Sequence, residues 1–457
     1  MNEQQRLTDL GGDQPGDADG QSAEQSLPDG WEMMKIQDIC EMSGGSTPKK
    51  SNEEYWDDGE ILWAKPKDFT GPLIADTEEK MTEKGAEAST SKIHDSGTIL
   101  MVVRSGVLRH TLPVAKAAAE TTINQDIKAL EANTDVIHPE YLFQVLRARA
   151  EDVRGTCKKT GTTVESIQTS VLKKYEIPVP PMEEQKAIAA TAVHQDEAIQ
   201  GAEETLQKSK TLRESLASEL LRTGTSEHTD YQKDKIGEFP ASWDTVRLGD
   251  LLTDTRYGTD TKSNTEGQGY PTLRIPNIVN KRITLDDLKH TELPDNEYDR
   301  LRLEEDDILI IRTNGNPNYV GRCATVDERE EDFVYASYLI RLRVDEDRVL
   351  PGFIREFLNA YRGRVEMNGW IRSSAGNYNL SVSGIEKFTV PLPSLTEQQE
   401  IVDKLEAVDE MIQTNREHHK QAQRLKTGLM QDLLSGDVRT AEREIDFPDA
   451  IENHEST

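Results

Sequence analysis

Apolar residues recur at steps of three and four along two long segments of the chain, each preceded by prolines and closed by a glycine, Gly224 or Gly436. This spacing makes one narrow apolar stripe on a helix and is typical of a coiled coil. It predicts long helices over 181–224 and 394–436, the second with a capping box from Ser394 to Glu397. The residues expected to pack along the stripes are Ile188, Ile199, Leu206, Leu212, Leu216, Leu220, Ile401, Leu405, Val408, Ile412, Leu425, Leu429 and Leu433.

The two helical segments are copies of one another. Residues 178–221 align without a gap on 391–434, and 14 of the 44 positions are identical. The opening of each half matches as well, with Trp31 following Leu27-Pro28 and Trp243 following Phe239-Pro240. The chain is therefore a tandem repeat whose middle regions have diverged.

A helix of about 40 residues is roughly 60 Å long, at about 1.5 Å per residue. With one narrow stripe it cannot bury itself, so we expect each helix to pair with its repeat copy. Because each helix follows a globular region, antiparallel pairing would place those regions at opposite ends of a rod. The alternative is that each helix packs separately on its own domain.

The regions before the helices read as mixed α/β. Strand-like runs lie at 61–64, 98–103, 308–312 and 336–344, and helices that begin with proline are expected at 139–153 and 351–364. The predicted fold class is α+β, with two α/β domains separated by two long antiparallel coiled-coil helices in a pseudo-twofold repeat. The predicted segments are an acidic disordered tail (1–28), a first domain (29–180), a first helix (181–224), a linker (225–238), a second domain (239–393), a second helix (394–436) and an acidic tail (437–457).

The charge balance is strongly acidic: 84 acidic against 54 basic residues among 457 give a net charge of −30. Alone, this argues against a polyanionic partner. However, residues 1–30 and 437–457 supply −11 of the total, and a dispersed acid excess with only 5% aromatic residues is typical of a halophilic composition. The alternative is an acidic surface that binds a partner. Two segments, 147–174 and 351–372, carry a basic excess, where phosphate contacts or only a solvated helix face are expected.

Mean hydropathy and cysteine content indicate the cellular compartment in which we expect the protein. The mean hydropathy is −0.69, no apolar run approaches the roughly 20 residues of a membrane span, and no basic start precedes an apolar stretch. We therefore expect a cytoplasmic protein without a membrane segment. The three cysteines are widely spaced, which excludes a disulfide framework and a Cys-x-x-Cys metal site.

With these features the chain resembles the specificity subunit of Type I restriction–modification systems over about residues 29–436. In the first half, the motifs that carry the resemblance are Trp31, Ser43-Gly44-Gly45-Ser46-Thr47-Pro48, Thr122-Ile123-Asn124-Gln125-Asp126-Ile127 and Pro178-Val179-Pro180-Pro181 with Glu184-Gln185. In the second half they are Trp243, Asp307-Ile308-Leu309, Gly321-Arg322, Tyr335-Ala336-Ser337-Tyr338, Pro391-Leu392-Pro393 with Glu397-Gln398, and the tail of the last helix from Leu425 to Gly436.

The resemblance implies that each unit is a target-recognition domain for one half of a split, asymmetric double-stranded DNA site. The paired helices would set the gap between the half-sites and dock two methyltransferase subunits, with two restriction subunits joining the full complex. S-adenosylmethionine would bind to the methyltransferase partner, and ATP and Mg to the restriction partner. This chain would bind no cofactor or metal and would catalyse nothing.

Base edges in the major groove are read by Arg or Lys on guanine and by Asn or Gln on adenine. Two domains on a rod of this length can contact DNA about one turn apart, roughly 34 Å. The loop residues that we expect to contact DNA are Lys49, Lys50, Arg104, Arg109, Lys158, Lys159, Arg274, Asn277, Arg312, Asn314, Asn316, Arg372, Asn377 and Asn379.

Two other functions fit parts of the sequence. Asn316-Pro317-Asn318-Tyr319 is similar to the Asn-Pro-Pro-Tyr motif of DNA adenine methyltransferases, but no glycine-rich cradle for S-adenosylmethionine accompanies it, and a turn also explains it. A non-catalytic coiled-coil adaptor that binds proteins would suit the acidic charge. Divergence between the two copies instead favours two different ligands.

Overall fold

The computed structural model describes residues 27–440, except 90–91, 160–163, 235–236 and 375. These residues form two compact units, one made of residues 27–200 and 421–440 and the other of residues 201–420. The disordered tail predicted at 1–28 and the acidic tail predicted at 437–457 lie outside the described residues apart from 27–28 and 437–440. None of the described helices is long and apolar enough to span a membrane.

The first unit holds a layered α/β domain. Its five-stranded sheet has the order β2-β9-β6-β7-β4, a three-stranded sheet has the order β5-β3-β8, and β1 pairs antiparallel with β10. Its strands are β1 (Glu32–Lys35), β2 (Cys40–Gly44), β3 (Ile61–Ala64), β4 (Leu73–Ile74), β5 (Lys80–Met81), β6 (Ile99–Val102), β7 (Val114–Ala117), β8 (Thr121–Ile123), β9 (Ile127–Ala132) and β10 (Glu176–Val179). Its helices are α1 (Ile36–Ile39), α2 (Glu83–Ser89), α3 (Pro139–Ala148), α4 (Ala150–Cys157), α5 (Thr169–Leu172) and the start of α6 (Met182–Thr223).

The second unit repeats this plan and adds small sheets. Its strands are β11 (Tyr231–Asp234), β12 (Gly237–Pro240), β13 (Asp244–Arg247), β14 (Leu252–Tyr257), β15 (Tyr270–Leu273), β16 (Ile278–Val279), β17 (Arg282–Ile283), β18 (Lys289–Thr291), β19 (Ile308–Ile311), β20 (Thr313–Asn314), β21 (Cys323–Thr325), β22 (Val334–Tyr335), β23 (Leu339–Val344), β24 (Arg372–Ser374), β25 (Asn377–Asn379) and β26 (Thr389–Leu392). Its helices are α7 (Asp295–Leu301), α8 (Pro351–Asn359), α9 (Tyr361–Asn368), α10 (Val382–Ile385) and most of α11 (Leu395–Ser435).

The sheets of the two units correspond strand by strand. The order β14-β23-β19-β21 matches β2-β9-β6-β7, the order β18-β15-β22 matches β5-β3-β8, and the β13–β26 pair matches β1–β10. The predicted fold class, an α+β tandem repeat with long helices, is confirmed.

The central strands β6 and β19 are buried on both faces, which explains why their sequences are unbroken apolar runs. In β19, Ile308 and Ile310 pack toward α8, whereas Leu309 and Ile311 join the core beneath β15 and β22. In β6, Ile99 likewise packs in the core that contains α3. Each domain is therefore a sheet between a helical layer and a second small sheet.

The predicted helices at 139–153 and 351–364 begin at their prolines as expected but are each two helices. Ala360 between α8 and α9 has extended backbone angles. A side chain at Gly363 would bring its Cβ within 2.1 Å of the Phe357 carbonyl oxygen. This close approach lets α9 turn away from α8. The segment 225–238, predicted as a linker, also contains structure, since β11 lies within it and pairs antiparallel with β12, whose first two residues belong to the segment.

The Glu-Gln pair that opens each long helix joins that helix to the α/β domain that precedes it. Gln185 Oε1 accepts a hydrogen bond from the amide of His138 at the start of α3 (2.7 Å), and its Nε2 donates to the carbonyls of Val136 and Pro180. Gln398 makes the same set with the Leu350 amide and the Arg348 carbonyl at the start of α8, and with the Pro393 carbonyl just before α11. The identical residues in the two repeats therefore mark identical joints.

The glutamate beside each of these glutamines binds the tryptophan that opens the domain. Trp31 Nε1 donates to Glu184 (2.9 Å), which also accepts from Arg439 (2.7 Å), just after α11. Trp243 Nε1 donates to Glu397 (3.0 Å) in the second unit. Each carboxylate thus ties the start of one long helix to a domain opening.

The predicted capping box of α11 is half correct. The Ser394 Oγ accepts from the Glu397 amide (3.3 Å) as expected. The Glu397 carboxylate, however, accepts from the Thr225 amide (3.0 Å) and bonds His228, both just after α6. In a capping box, this carboxylate would accept from the Ser394 amide. Here it binds Trp243 and residues after α6 instead.

Antiparallel pairing of the long helices is confirmed within each unit. In the second unit Asn415 Nδ2 donates to Ser209 Oγ (2.9 Å), and Arg213 Nη2 lies 2.8 Å from Asp409. In the first unit Lys426 pairs with Asp196. As the residue number rises along α6, that of its partner falls along α11.

Two of these contacts are equivalent polar knots, which we define as Arg213–Asp409–Glu356 and Lys426–Asp196–Gln144. Arg213 is 5% exposed and also binds Glu356 of α8 (2.6 Å), which is 1% exposed. Burial alone would raise the pKa of Glu356, but Lys281, Arg213 and Arg355 together hold it below its usual range. In the knot of the first unit, Lys426 Nζ donates to Gln144 of α3 (3.2 Å). Each knot joins both helices to a domain.

The stripe prediction is wrong at two positions. Leu212 is 51% exposed and Leu425 61% exposed, while Ser209 and Arg213 are buried in their stretch of α6. The polar knots occupy the seam there, which turns the neighbouring leucines outward. Ile188, Leu206, Leu220, Ile401, Leu405 and Leu433 are buried, and Ile199, Leu216, Val408, Ile412 and Leu429 are half-buried.

Removing the cation of the second-unit knot should destabilise the fold. In R213A, Glu356 and Asp409 lose their shared partner, and we expect the free energy of unfolding to fall by about 3–5 kcal/mol. Arg222→Ala, at an exposed position of the same helix, is the matched control and should cost less than about 0.5 kcal/mol. Urea unfolding of the full chain, followed by circular dichroism, measures both. Equal small effects would contradict the role of the knot.

The glutamates that bind the tryptophans, Glu184 and Glu397, should make the stability of the fold depend on pH. Burial opposes their charged form, but the donors outweigh it and hold the pKa of Glu184 and Glu397 below the usual range. Their contribution is therefore complete above the unfolded-state pKa of about 4.3 and is lost as pH falls through the folded value. We expect E397Q to lower the melting temperature at pH 7 and to flatten its decline below about pH 5. Glu219→Gln, which is exposed, should follow the unaltered protein. An E397Q profile parallel to that of the unaltered protein would refute this.

Candidate nucleic-acid interface

In the second unit, several predicted DNA contacts meet at one edge of the domain. The chain leaves the buried strand β19 at Arg312 and continues into β20, which pairs with β25, and β25 pairs with β24. This three-stranded ribbon lies at the surface. The predicted contacts that it or its flanking turns bring together are Arg312, Asn314, Asn316, Arg372, Asn377 and Asn379.

Exposed tyrosines surround this ribbon, and the sequence analysis did not select them as contacts. The Arg312 guanidinium lies 4.8 Å from the Tyr257 ring centre, and that of Arg322 lies 4.1 Å from the ring of Tyr319. Tyr338, whose carbonyl accepts from the Arg312 amide, is 56% exposed. Cationic groups against exposed rings suit sugar and base contacts. The presence of tyrosines in a chain poor in aromatics was the available signal.

Two of the predicted contacts in this unit serve the fold instead. Asn277 is fully buried: its Nδ2 donates to the carbonyls of Thr284 (2.9 Å) and Asp286, and its Oδ1 accepts from the Arg274 amide. Arg274 Nη2 binds the carbonyl and carboxylate of Asp287. The prediction that Asn277 contacts DNA is wrong, because its buried side chain holds the turn together through hydrogen bonds to three backbone groups.

The segment similar to a methyltransferase motif is a turn. Asn316 Oδ1 accepts from the Asn318 amide (3.0 Å), and the Asn316 carbonyl accepts from the Tyr319 amide (3.1 Å). Arg364 of α9 donates to the Pro317 carbonyl (3.3 Å) and fixes the turn from below. These bonds account for the asparagines without a catalytic role.

The first unit gathers predicted contacts at the corresponding place. Arg104, just after β6, bridges to Ser166, and Lys158 bridges to Ile167. The Ile167 amide donates to the carbonyl of Val103, as the Leu380 amide does to that of Arg312 in the second unit, both at 2.8 Å. Arg104, Lys158 and Lys159 therefore occupy a surface equivalent to the ribbon of the second unit.

The side chains at these equivalent places differ. Asp126 stands where the second unit has Tyr338, since the amides of Val103 and Arg312 donate to their respective carbonyls. Arg104 pairs with Asp126, and Lys158 with Glu165 (2.9 Å). One unit thus presents ion pairs and lysine, the other asparagines, arginine and tyrosines.

The remaining candidates of the first unit lie on other loops. Lys50 pairs with Glu79 and sits 4.3 Å and 4.2 Å from the ring centres of Trp56 and Trp63. Lys49 and Arg109 are exposed, and the Arg109 carbonyl accepts from Arg154. Lys50 is therefore held by its own domain, whereas Lys49 and Arg109 face solvent.

Most arginines of the basic segment 351–372 also serve the fold. Arg355 binds Glu406 (2.9 Å), and Arg362 donates to the carbonyls of Leu221 and Glu238. The segment has four arginines, and among them only Arg372 is exposed; the other three are Arg355, Arg362 and Arg364. Within the described ranges, no group of three or more His, Cys, Asp or Glu side chains is placed to hold a metal ion.

Comparison with known proteins agrees with this architecture. The family model described as "Type I restriction modification DNA specificity domain" matches residues 28–205 and 240–424, once in each repeat. A solved structure described as the "Structural basis underlying complex assembly and conformational transition of the type I R-M system" superposes with a TM-score of 0.59 at 18% identity, covering 90% of this chain and all of the other. At that identity the likeness concerns the fold.

Curated relatives are named as specificity subunits of Type I restriction enzymes. The "Type I restriction enzyme EcoR124I/EcoR124II specificity subunit" of Escherichia coli is 31% identical over 211 residues, which are 46% of this chain and 48% of the relative. That match spans about half the length of the relative. The "Type I restriction enzyme EcoKI specificity subunit" of Escherichia coli is 23% identical over 456 residues, 94% of each chain. Because the family model matches more than half of the sequence, the chain belongs to the family of Type I restriction modification DNA specificity domains.

Proposed function

We propose that this chain is the DNA-specificity subunit of a Type I restriction–modification enzyme and reads a bipartite, asymmetric site. The observation that carries the proposal is the pair of equivalent surfaces after β6 and β19. The same backbone framework presents base-reading residue types in both units, with different side chains in each. Two identical readers would select a palindrome, whereas two divergent ones select two different half-sites.

We propose that the paired helices act as the spacer between the half-sites. The antiparallel contacts found in each unit support this role, since they fix the register of α6 against α11. Each helix of about 40 residues is roughly 60 Å long, which exceeds the roughly 34 Å of one DNA turn. Membership in a DNA-specificity family also favours DNA over the adaptor alternative.

The same proposal assigns catalysis and cofactors to partners. Two methyltransferase subunits would carry S-adenosylmethionine and methylate adenine, and restriction subunits would use ATP and Mg²⁺. This chain would supply recognition alone and work in the cytoplasm, where the DNA is. The repeat supports two copies of one partner, because Leu212 and Leu425 occupy equivalent helix positions and are both exposed.

Adenine methylation should depend on this chain. When it is co-expressed with its methyltransferase partner, we expect single-molecule sequencing of the host DNA to show one bipartite motif with a fixed gap. Omitting the chain should abolish the motif, because the partner then lacks its sequence reader. A motif that persists without the chain would show that recognition lies elsewhere.

The exposed leucines should set the number of bound methyltransferases. A charge on the docking surface disrupts an apolar contact, so we expect L212E or L425E alone to reduce the complex from two methyltransferase subunits to one, and the double variant to none. Native mass spectrometry measures this stoichiometry. Thr211→Glu, an exposed neighbour, is the matched control for added charge. Two bound partners in the double variant would exclude this docking surface.

A further inference from the structure

The hairpin of β24 and β25 has two chemically different faces. Its register places Arg372 opposite Asn379, Ser373 opposite Tyr378 and Ser374 opposite Asn377. Directly opposed residues share a face, and neighbours along a strand alternate between faces. Arg372, Ser374, Asn377 and Asn379 therefore lie on one face, with Ser373 and Tyr378 on the other.

Tyr378 identifies the inward face. Its ring packs against the second unit's core, so the face with Arg372, Ser374, Asn377 and Asn379 points away from the core. Every side chain on that outward face can form hydrogen bonds. Asn314 pairs opposite Tyr378, on the inward side, and its Oδ1 accepts from the Asn316 amide (2.9 Å).

One end of the hairpin is firmly held. Leu380, which is 1% exposed, donates its amide to the Arg312 carbonyl (2.8 Å), and the Val382 amide donates to the Tyr257 hydroxyl (3.1 Å). β20 adds a third strand at Asn379. The other end turns at Gly376, which has a left-handed backbone (φ +82°) and is exposed. The hairpin therefore has a fixed base and a solvent-exposed turn, a shape that can enter a groove.

Its dimensions fit the major groove. The groove is about 12 Å wide and admits a two-stranded ribbon, whose strands lie roughly 4.8 Å apart. Three residues at about 3.4 Å each extend over roughly 7–10 Å. With bases stacked about 3.4 Å apart along each strand, this length matches two to three base pairs.

Resting on the proposed function, we infer that this hairpin enters the major groove and that its outward face reads the half-site of the second unit. Asn377 and Asn379 are suited to adenine, and Arg372 to guanine. The inference separates the asparagine candidates: Asn277 and Asn314 support the fold, whereas Asn377 and Asn379 read bases.

The test uses the full chain in complex with its methyltransferase, and the methylated motif as readout. We expect R372A and N379A each to relax one base position of one half-site by about 10- to 100-fold. The other half-site stays fully specified, and its reading shows that the variant is folded. Ser373→Ala, on the inward face of the same hairpin, is the matched control and should leave the motif intact.

The outcomes separate the two proposals. Methylation that does not depend on the unaltered chain would remove the proposed function itself. An unchanged motif in R372A and N379A, with methylation intact, would overturn only the hairpin's role. If a variant loses methylation altogether, binding to duplexes that differ at single base pairs decides: retained discrimination overturns the inference, and its collapse in one half-site supports it.

Discussion

Every charge buried between the long helices needs a partner, and this requirement fixes the scaffold. Arg213 is surrounded by Asp409 and Glu356, and Lys426 by Asp196 and Gln144. Sliding one helix along the other would separate these groups and leave the buried Arg213 and Glu356 without their partners, at a cost of several kcal/mol. An apolar stripe alone would tolerate such slips far better. The polar knots therefore specify the register in each unit.

The contacts that join each long helix to its domain use the same residues in both repeats, whereas the proposed DNA-reading surfaces do not. The joints are built from residues that are the same in both repeats, such as the Glu-Gln pair and the domain-opening tryptophan, because backbone groups at helix starts demand one geometry. The proposed DNA-reading surfaces follow the equivalent strands β6 and β19 but carry different side chains. Solvent-facing positions impose little constraint on the fold, so they can change with the ligand.

The long helices, the repeat and the buried strands could be predicted from sequence because periodicity and apolar runs report burial directly. The roles of Leu212, Leu425 and Asn277 could not. An isolated stripe does not show which neighbouring polar residues enter the seam, and Arg213 does so only because Asp409 and Glu356 meet it. Asparagine is a residue type that reads bases, so Asn277 looked like a DNA contact. Its side chain instead binds the carbonyls of residues 284 and 286, which only the folded turn brings near.

The pairing of β1 with β10, and of β13 with β26, has a consequence for inheritance. Each α/β domain is entered and left through two adjacent antiparallel strands, so its two ends lie side by side. A segment with neighbouring ends can be replaced as one cassette without disturbing what lies outside it. Recombination at these strands could therefore exchange a whole domain between related genes in a single event. Under the proposed function, that exchange would change one DNA half-site and leave the long helices as they are.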